Sequence, residues 1–218
     1  MQPYAYSVRR PEEIEADFAI HLLGMLVGAI GAAALLGLTA ASTDLTTFSS
    51  VLAYTMALIA MLGFSAAYNL HRTAERRDLL RRLDHAAIFT MIAGTYTPFT
   101  ARIFDGAGAA WSTGSIWAAA LAGAAVKLAY RHRFEGVSVL LYLALGWAVV
   151  VFMQPLLASL DRPTVILIVL GGVVYSIGAG VHLWHRLPFH DAIWHGLVLI
   201  AASCHYTAIL HGVVSAAR

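Results

Sequence analysis

Three pairs of polar side chains stand four residues apart inside runs that are otherwise apolar: Asp17 with His21, Ser65 with Asn69, and Asp191 with His195. A helix turns every 3.6 residues, so each pair shares one face. Asp84 and His85 open another apolar run, and His205 lies well inside the last one, about 15 Å along its axis from that run's start. Carboxylates, imidazoles and a hydroxyl are the groups that bind a divalent metal, take a proton from water or steady an oxyanion. Each also has a structural reading. Asp17, Asp84 and Asp191 suit helix N-caps, Ser65 can bond back to its own helix, and His195 beside Trp194 suits a membrane interface. His182, His185 and His190 read as interfacial residues.

The elements that must hold these groups are membrane helices. The 218 residues are 60% hydrophobic and only 12% charged, about half the charged share of a soluble domain. Apolar runs recur at 18–40, 47–70, 84–104, 111–130, 136–157, 163–185 and 191–214. Each is close to the roughly 20 residues that cross about 30 Å of hydrocarbon. Helices satisfy their own backbone in lipid, and the runs lack the alternation of barrel strands. The fold class is therefore all-α: one polytopic domain, 1–218, a bundle of seven transmembrane helices after a short segment, 1–17. That segment carries Glu12, Glu13, Glu15 and Asp17, and the first run has no convincing cleavage site, so it reads as retained. The breaks are short: Ser42-Thr43-Asp44, Phe104-Asp105-Gly106, Asp161-Arg162-Pro163 and Pro188. Gly24-x-x-x-Gly28 and Gly171-Gly172 suit close helix contacts. The single cysteine, Cys204, excludes an intrachain disulfide and a thiolate zinc cluster.

Positive charge sets the orientation. Arg9, Arg10, Arg72, Arg76, Arg77, Arg81, Arg82, Lys127, Arg131, Arg133 and Arg186 fall on one side, and Arg102, Arg162 and Arg218 on the other. The richer side is expected in the cytoplasm, with the N-terminus inside and the C-terminus outside. The arginine run reads as a topology signal and headgroup contact, with no nucleic-acid role. This threading brings the start of the first helix, the end of the second and the starts of the third and seventh to one depth. If those helices are neighbours, their polar groups line one cavity.

These residues also carry a resemblance. The run Arg82-Leu-Asp-His-Ala-Ala-Ile-Phe-Thr-Met-Ile-Ala-Gly-Thr-Tyr-Thr-Pro-Phe99, which contains Asp84, His85 and Tyr96, resembles the signature of the hemolysin III family. That family is the bacterial branch of the progestin and adipoQ receptor (PAQR) superfamily. Ala192-Ile-Trp-His-Gly-Leu-Val198 with His205 resembles its seventh-helix motif, Glu12-Glu13 with His21 its first, and Ser65-Ala-Ala-Tyr68 its second. The resemblance implies seven helices in a bacterial cytoplasmic (inner) membrane, lipid partners and a zinc ion near the cytoplasmic face. It implies zinc ligands at the position four after Ser65 and at two positions spaced i and i+4 in the seventh helix. In this chain those positions are Asn69, Asp191 and His195, so only one of the three is histidine. Asn69 offers a weak neutral oxygen, and Asp191 an acceptable carboxylate. The first-motif asparagine is replaced by Asp17. His71 lies about 200° around the helix from Asn69 and cannot replace it.

Three functions follow as expectations. The first is a metal-dependent hydrolase of membrane lipid amides, with Asp84 as the catalytic base, Ser65 in support of the oxyanion or the water, and Asp17, His21, His85, Tyr96 and His205 as supporting residues. The second is a non-enzymatic lipid-binding protein or regulator of membrane fluidity or energetics, its cluster a hydrogen-bonded network. The third is a pore-forming haemolysin, against which stands the lack of a charged stripe along any helix. Substrate and oligomeric state stay open.

Overall fold

The computed structural model describes residues 10–42, 44–70, 74–129 and 135–214. Arg9, His71, Arg72, Arg131, Arg133, Arg218 and the Thr43 of the first break lie outside them. Among the described residues there are helices and no strands. They are α1 (Pro11–Ser42), α2 (Leu45–Leu70), α3 (Ala74–Ile103), α4 (Gly106–Ala129), α5 (Glu135–Gly146), α6 (Met153–Ser159), α7 (Arg162–Leu183) and α8 (His190–Ile209). A 3-10 segment, Trp147–Phe152, joins α5 to α6, and a π turn, Leu210–Val214, extends α8.

Among the described residues, six stretches are helical, long and apolar enough to cross a membrane: α1, α2, α4, Gly136–Ser159, α7 and α8 with its π turn. The expected seventh, 84–104, is the apolar part of α3. This helix is 30 residues long, and its first turns carry Arg76, Arg77, Asp78, Arg81, Arg82 and Asp84. Outward faces are apolar. On α1, Leu22, Leu23, Leu26, Val27 and Ile30 are all exposed, as a lipid solvent requires.

Helix starts differ from the limits of the apolar runs. Pro11 occupies the first position of α1, where its fixed φ and missing N–H are tolerated. Asp17 therefore lies two turns inside the helix and is not its cap. Asp84 is likewise ten residues into α3. Asp191 does lie in the first turn of α8. A true cap is Asp44, whose Oδ1 accepts the backbone N–H groups of Thr46 (2.8 Å) and Thr47 (3.0 Å) at the start of α2.

The helices form a closed ring. Each packs on the next in the order α1, α2, α3, α4, α5, α7, α8, and α8 returns to α1; α3 also touches α6 and α8. Lipid tails are as apolar as the side chains, so close packing of small residues does much of the binding. Gly24 faces Leu199, and Gly28 faces Leu62. Where α2 and α3 cross, a Cβ on Gly94 would stand 2.6 Å from the Ala57 Cβ, so the crossing tolerates no side chain there. The break after α5 is also satisfied: the Tyr96 hydroxyl donates to the carbonyls of Gly146 (2.7 Å) and Leu145 (3.2 Å).

Candidate functional site

At one end of the ring the start of α1, the end of α2, the start of α3 and the start of α8 lie side by side. The polar pairs of the sequence thus do meet at one depth. Asp17 and His21 face inward from consecutive turns of α1, and both are buried. The His195 Nδ1 of α8 donates to Asp17 Oδ1 at 2.6 Å. His21 Nδ1 bonds the Asp17 carbonyl oxygen at 2.8 Å and lies 3.5 Å from Asp17 Oδ1. The two imidazoles meet edge-on, 4.4 Å between centroids. With both Nδ1–H groups turned to Asp17, the Nε2 lone pairs point the other way. The His21 Nε2 lone pair faces the Ser65 hydroxyl at 3.3 Å. Asp84, on α3, lies within hydrogen-bonding reach of Ser65 and feels the charges of His195 and Arg81.

This cluster borders a cavity of 1180 Å³ that runs the length of α3's inner face, from Asp84 through Ile88, Met91, Thr95 and Phe99 to Ile103. That stretch covers about 28 Å of helix. His21, Ser65, Asn69, His85, Tyr96, Asp191, His195 and His205 also line it. Asp17 does not; it stands behind the two rings and fixes them from their Nδ1 side. A carboxylate behind a histidine is the usual way to orient a metal-binding imidazole.

The remaining candidates are placed apart. The Asn69 amide donates back to the Ser65 carbonyl at 3.0 Å, along its own helix. Asp191 Oδ1 lies 3.3 Å from His190 Nε2. It belongs to a second cluster, in which His182 packs on Trp194 (5.3 Å) and His185 on His190 (5.6 Å). His85 gives its backbone carbonyl to the Tyr142 hydroxyl at 3.0 Å. His205 lies deep in the bundle, where Nε2 bonds the Ile168 carbonyl at 3.1 Å and the ring sits on Gly171.

Among the described residues, one group of three His, Cys, Asp or Glu side chains gathers its ligand atoms within 4.8 Å: Asp17, His21 and His195. Two imidazoles that face an open cavity with a carboxylate behind them are the ligand and orienting groups of a catalytic zinc site. The residues present therefore fit a divalent ion. One neighbour escaped the sequence reading: Lys127 was counted as a topology charge, yet it is buried on the cavity wall. Glu13, part of the first motif, places its Oε1 to accept the Phe189 N–H at 3.4 Å, where Phe189 takes a left-handed φ of 59° just before α8.

A family profile described as "Haemolysin-III related" matches residues 15–206. "Hemolysin-3" of Bacillus cereus is 34% identical over 175 residues, covering 78% of this chain and 80% of that protein. "Hemolysin-3 homolog" of Bacillus subtilis (strain 168) is 37% identical over 134 residues, covering 62% of this chain and 63% of that protein. "Monocyte to macrophage differentiation factor" of Homo sapiens is 28% identical over 166 residues, covering 72% of this chain and 67% of that protein. The chain belongs to the haemolysin-III-related family and is a multi-pass membrane protein.

Proposed function

We propose that this haemolysin-III-related protein is a metal-dependent hydrolase of membrane lipid amides, working inside the bilayer from the Asp17–His195 end of its bundle. The observation that carries this reading is a buried Asp-His-His cluster opening onto a long apolar cavity. All seven runs cross the bacterial cytoplasmic membrane, α3 included, and the positively charged end that holds the cluster faces the cytoplasm.

His21 and His195 would hold the ion through Nε2, with Asp17 orienting both rings from behind. Once bound, it polarises the amide carbonyl and makes water a better nucleophile. The chain's own residues do the rest. Asp17 keeps both rings turned with Nε2 toward the cavity. Asp84 takes the proton of the attacking water and returns it to the leaving amine. Ser65, between His21 Nε2 and Asp84, donates to the developing oxyanion. The acyl chain lies along the inner face of α3, where Ile88, Met91 and Phe99 keep water away.

The test is release of fatty acid from long-chain lipid amides by the purified, metal-loaded protein, followed by mass spectrometry. Asp84→Ala is expected to lower the rate about 10²–10⁴-fold, as loss of a general base does. His195→Ala and chelation should do at least as much. Turnover that survives Asp84→Ala, His195→Ala and chelation refutes the reading. One observation favours the second reading, a lipid-binding protein without turnover: the Asn69 amide turns back to the Ser65 carbonyl, and Asp191 meets His190. In that case the cavity binds lipid while neither variant changes any lipid's lifetime.

A further inference from the structure

Deep in the cavity, beyond the cluster, two polar side chains line its wall that the proposed chemistry leaves unused: Tyr175 of α7 and His205 of α8. Their rings lie 5.7 Å apart between centroids. The two helices are consecutive and run in opposite directions. A helical side chain leans toward its own N-terminus, so Tyr175 leans deeper into the bundle and His205 leans back toward it. His205 Nε2 bonds the Ile168 carbonyl at 3.1 Å. A carbonyl only accepts, so Nε2 carries the proton and Nδ1 keeps a lone pair. The Nε2–Cδ2 edge of the ring lies on Gly171, which turns Nδ1 away from the α7 backbone. Among the described residues neither His205 Nδ1 nor the Tyr175 hydroxyl has a hydrogen-bond partner, and neither atom is sealed inside the protein. Both residues line the cavity, so these atoms are presented to it. Covered by a wholly apolar chain, each would be left unmet and unfavourable.

Position decides what meets them. His205 is ten residues past His195 on α8, about 15 Å farther from the Asp17–His195 end. On α3, Thr95 lies at a like distance beyond Asp84, and its hydroxyl donates back to the Met91 carbonyl at 2.9 Å. An extended chain advances about 1.1–1.2 Å per bond, so an acyl chain with its carbonyl at Asp84 and His195 reaches Tyr175 and His205 about 12 bonds in. We propose that Tyr175 and His205 form a second, deep subsite of the cavity, which binds a hydroxyl carried near the middle of the acyl chain. That hydroxyl donates to His205 Nδ1 and accepts from the Tyr175 hydroxyl. The inference rests on the lipid-amide reading and narrows its substrate class to amides of mid-chain hydroxy acids.

The experiment measures binding to the full-length, metal-free protein in neutral detergent, through the fluorescence of Trp147 and Trp194, which line the cavity. The probes are three uncharged ethanolamides of one chain length: stearoyl, 12-hydroxystearoyl and 12-oxostearoyl. The wild type is expected to bind the hydroxy probe about tenfold more tightly than the stearoyl one, as two hydrogen bonds provide. The ketone can accept from Tyr175 but has no proton for His205 Nδ1, and should bind about threefold or more weakly than the alcohol. Tyr175→Phe keeps the ring and removes the hydroxyl. It should cut the preference for the alcohol about threefold or more, while the stearoyl probe binds as before, which also shows an intact cavity. Equal binding of the hydroxy and stearoyl probes by the wild type overturns the proposal, and this outcome needs no variant to fold. So does a ketone that binds as tightly as the alcohol, or a preference unchanged in Tyr175→Phe. Since no turnover is measured, hydroxyl preference with no hydrolysis sinks the hydrolase alone. Hydrolysis of plain acyl amides with no hydroxyl preference sinks this subsite alone.

Discussion

Replacing Asp17 by asparagine separates the site seen in the bundle from the site the motif positions imply. The carboxylate is 3% exposed. It accepts His195 Nδ1 at 2.6 Å and lies 3.5 Å from His21 Nδ1. Asparagine keeps the shape and removes the charge. In the metal-free protein the loss of one buried charge-assisted hydrogen bond costs about 1.5–3 kcal/mol. Its effect on the ion is larger. Even a carboxylate that only orients a ligating histidine is worth about 10–100-fold in metal affinity, and Asp17 serves two rings. Asp17→Asn is therefore expected to lower zinc affinity at least tenfold. Asp191→Asn and Asn69→Ala, whose side chains turn to His190 and to the Ser65 carbonyl, should leave it within about twofold. The assay is competition with a chromophoric chelator, with thermal unfolding of each metal-free variant alongside. If Asp191→Asn removes the metal and Asp17→Asn does not, the ion sits at the motif positions and the cluster described here is a structural network.

Two further outcomes are expected. Gly171→Ala would place a Cβ 2.5 Å from His205 Nε2 and 3.2 Å from the Ala201 carbonyl oxygen; the overpacking should destabilise the bundle by about 1–3 kcal/mol, read by thermal unfolding in detergent. Asp44→Ala removes the α2 cap at a cost of about 1 kcal/mol, with Asp44→Asn close to neutral. The hydrogen bonds from the Thr47 N–H and hydroxyl, and then from the Thr46 N–H, hold the Asp44 carboxyl below its ordinary value of 3.8. A depressed folded value means that this stabilisation is complete above the ordinary value and fades as pH falls through the folded one. The difference between wild type and Asp44→Ala should be flat at neutral pH and shrink below about pH 4. A difference that grows on acidification would refute this account of the cap.

The comparison of sequence with structure turns on a few residues. The i,i+4 spacing of Asp17 and His21 announced a shared inward face, because helical periodicity is local. Hydropathy marked where the chain is apolar but not where its helices begin. It therefore left Asp17 and Asp84 as candidate caps, when Pro11 and Ala74 start those helices turns earlier. Asn69 and Asp191 stood at motif positions, yet an amide can turn back to the carbonyl four residues before it, and a carboxylate can take the nearest imidazole.

What the amino-acid order determined by itself is the solvent and the threading. Long apolar runs must be helices in lipid, and their short breaks carry distant polar residues back to one end of the bundle. What only the tertiary structure decided is which of those residues touch. Asp17 and His195 are 178 residues apart; they meet because α8 closes the ring against α1. Lys127 is likewise an ordinary terminal lysine until the packing of the bundle buries it on the cavity wall. Periodicity within one helix constrains the face that helix offers. The partner that meets the face depends on how all the helices pack together, and no single helix carries that information.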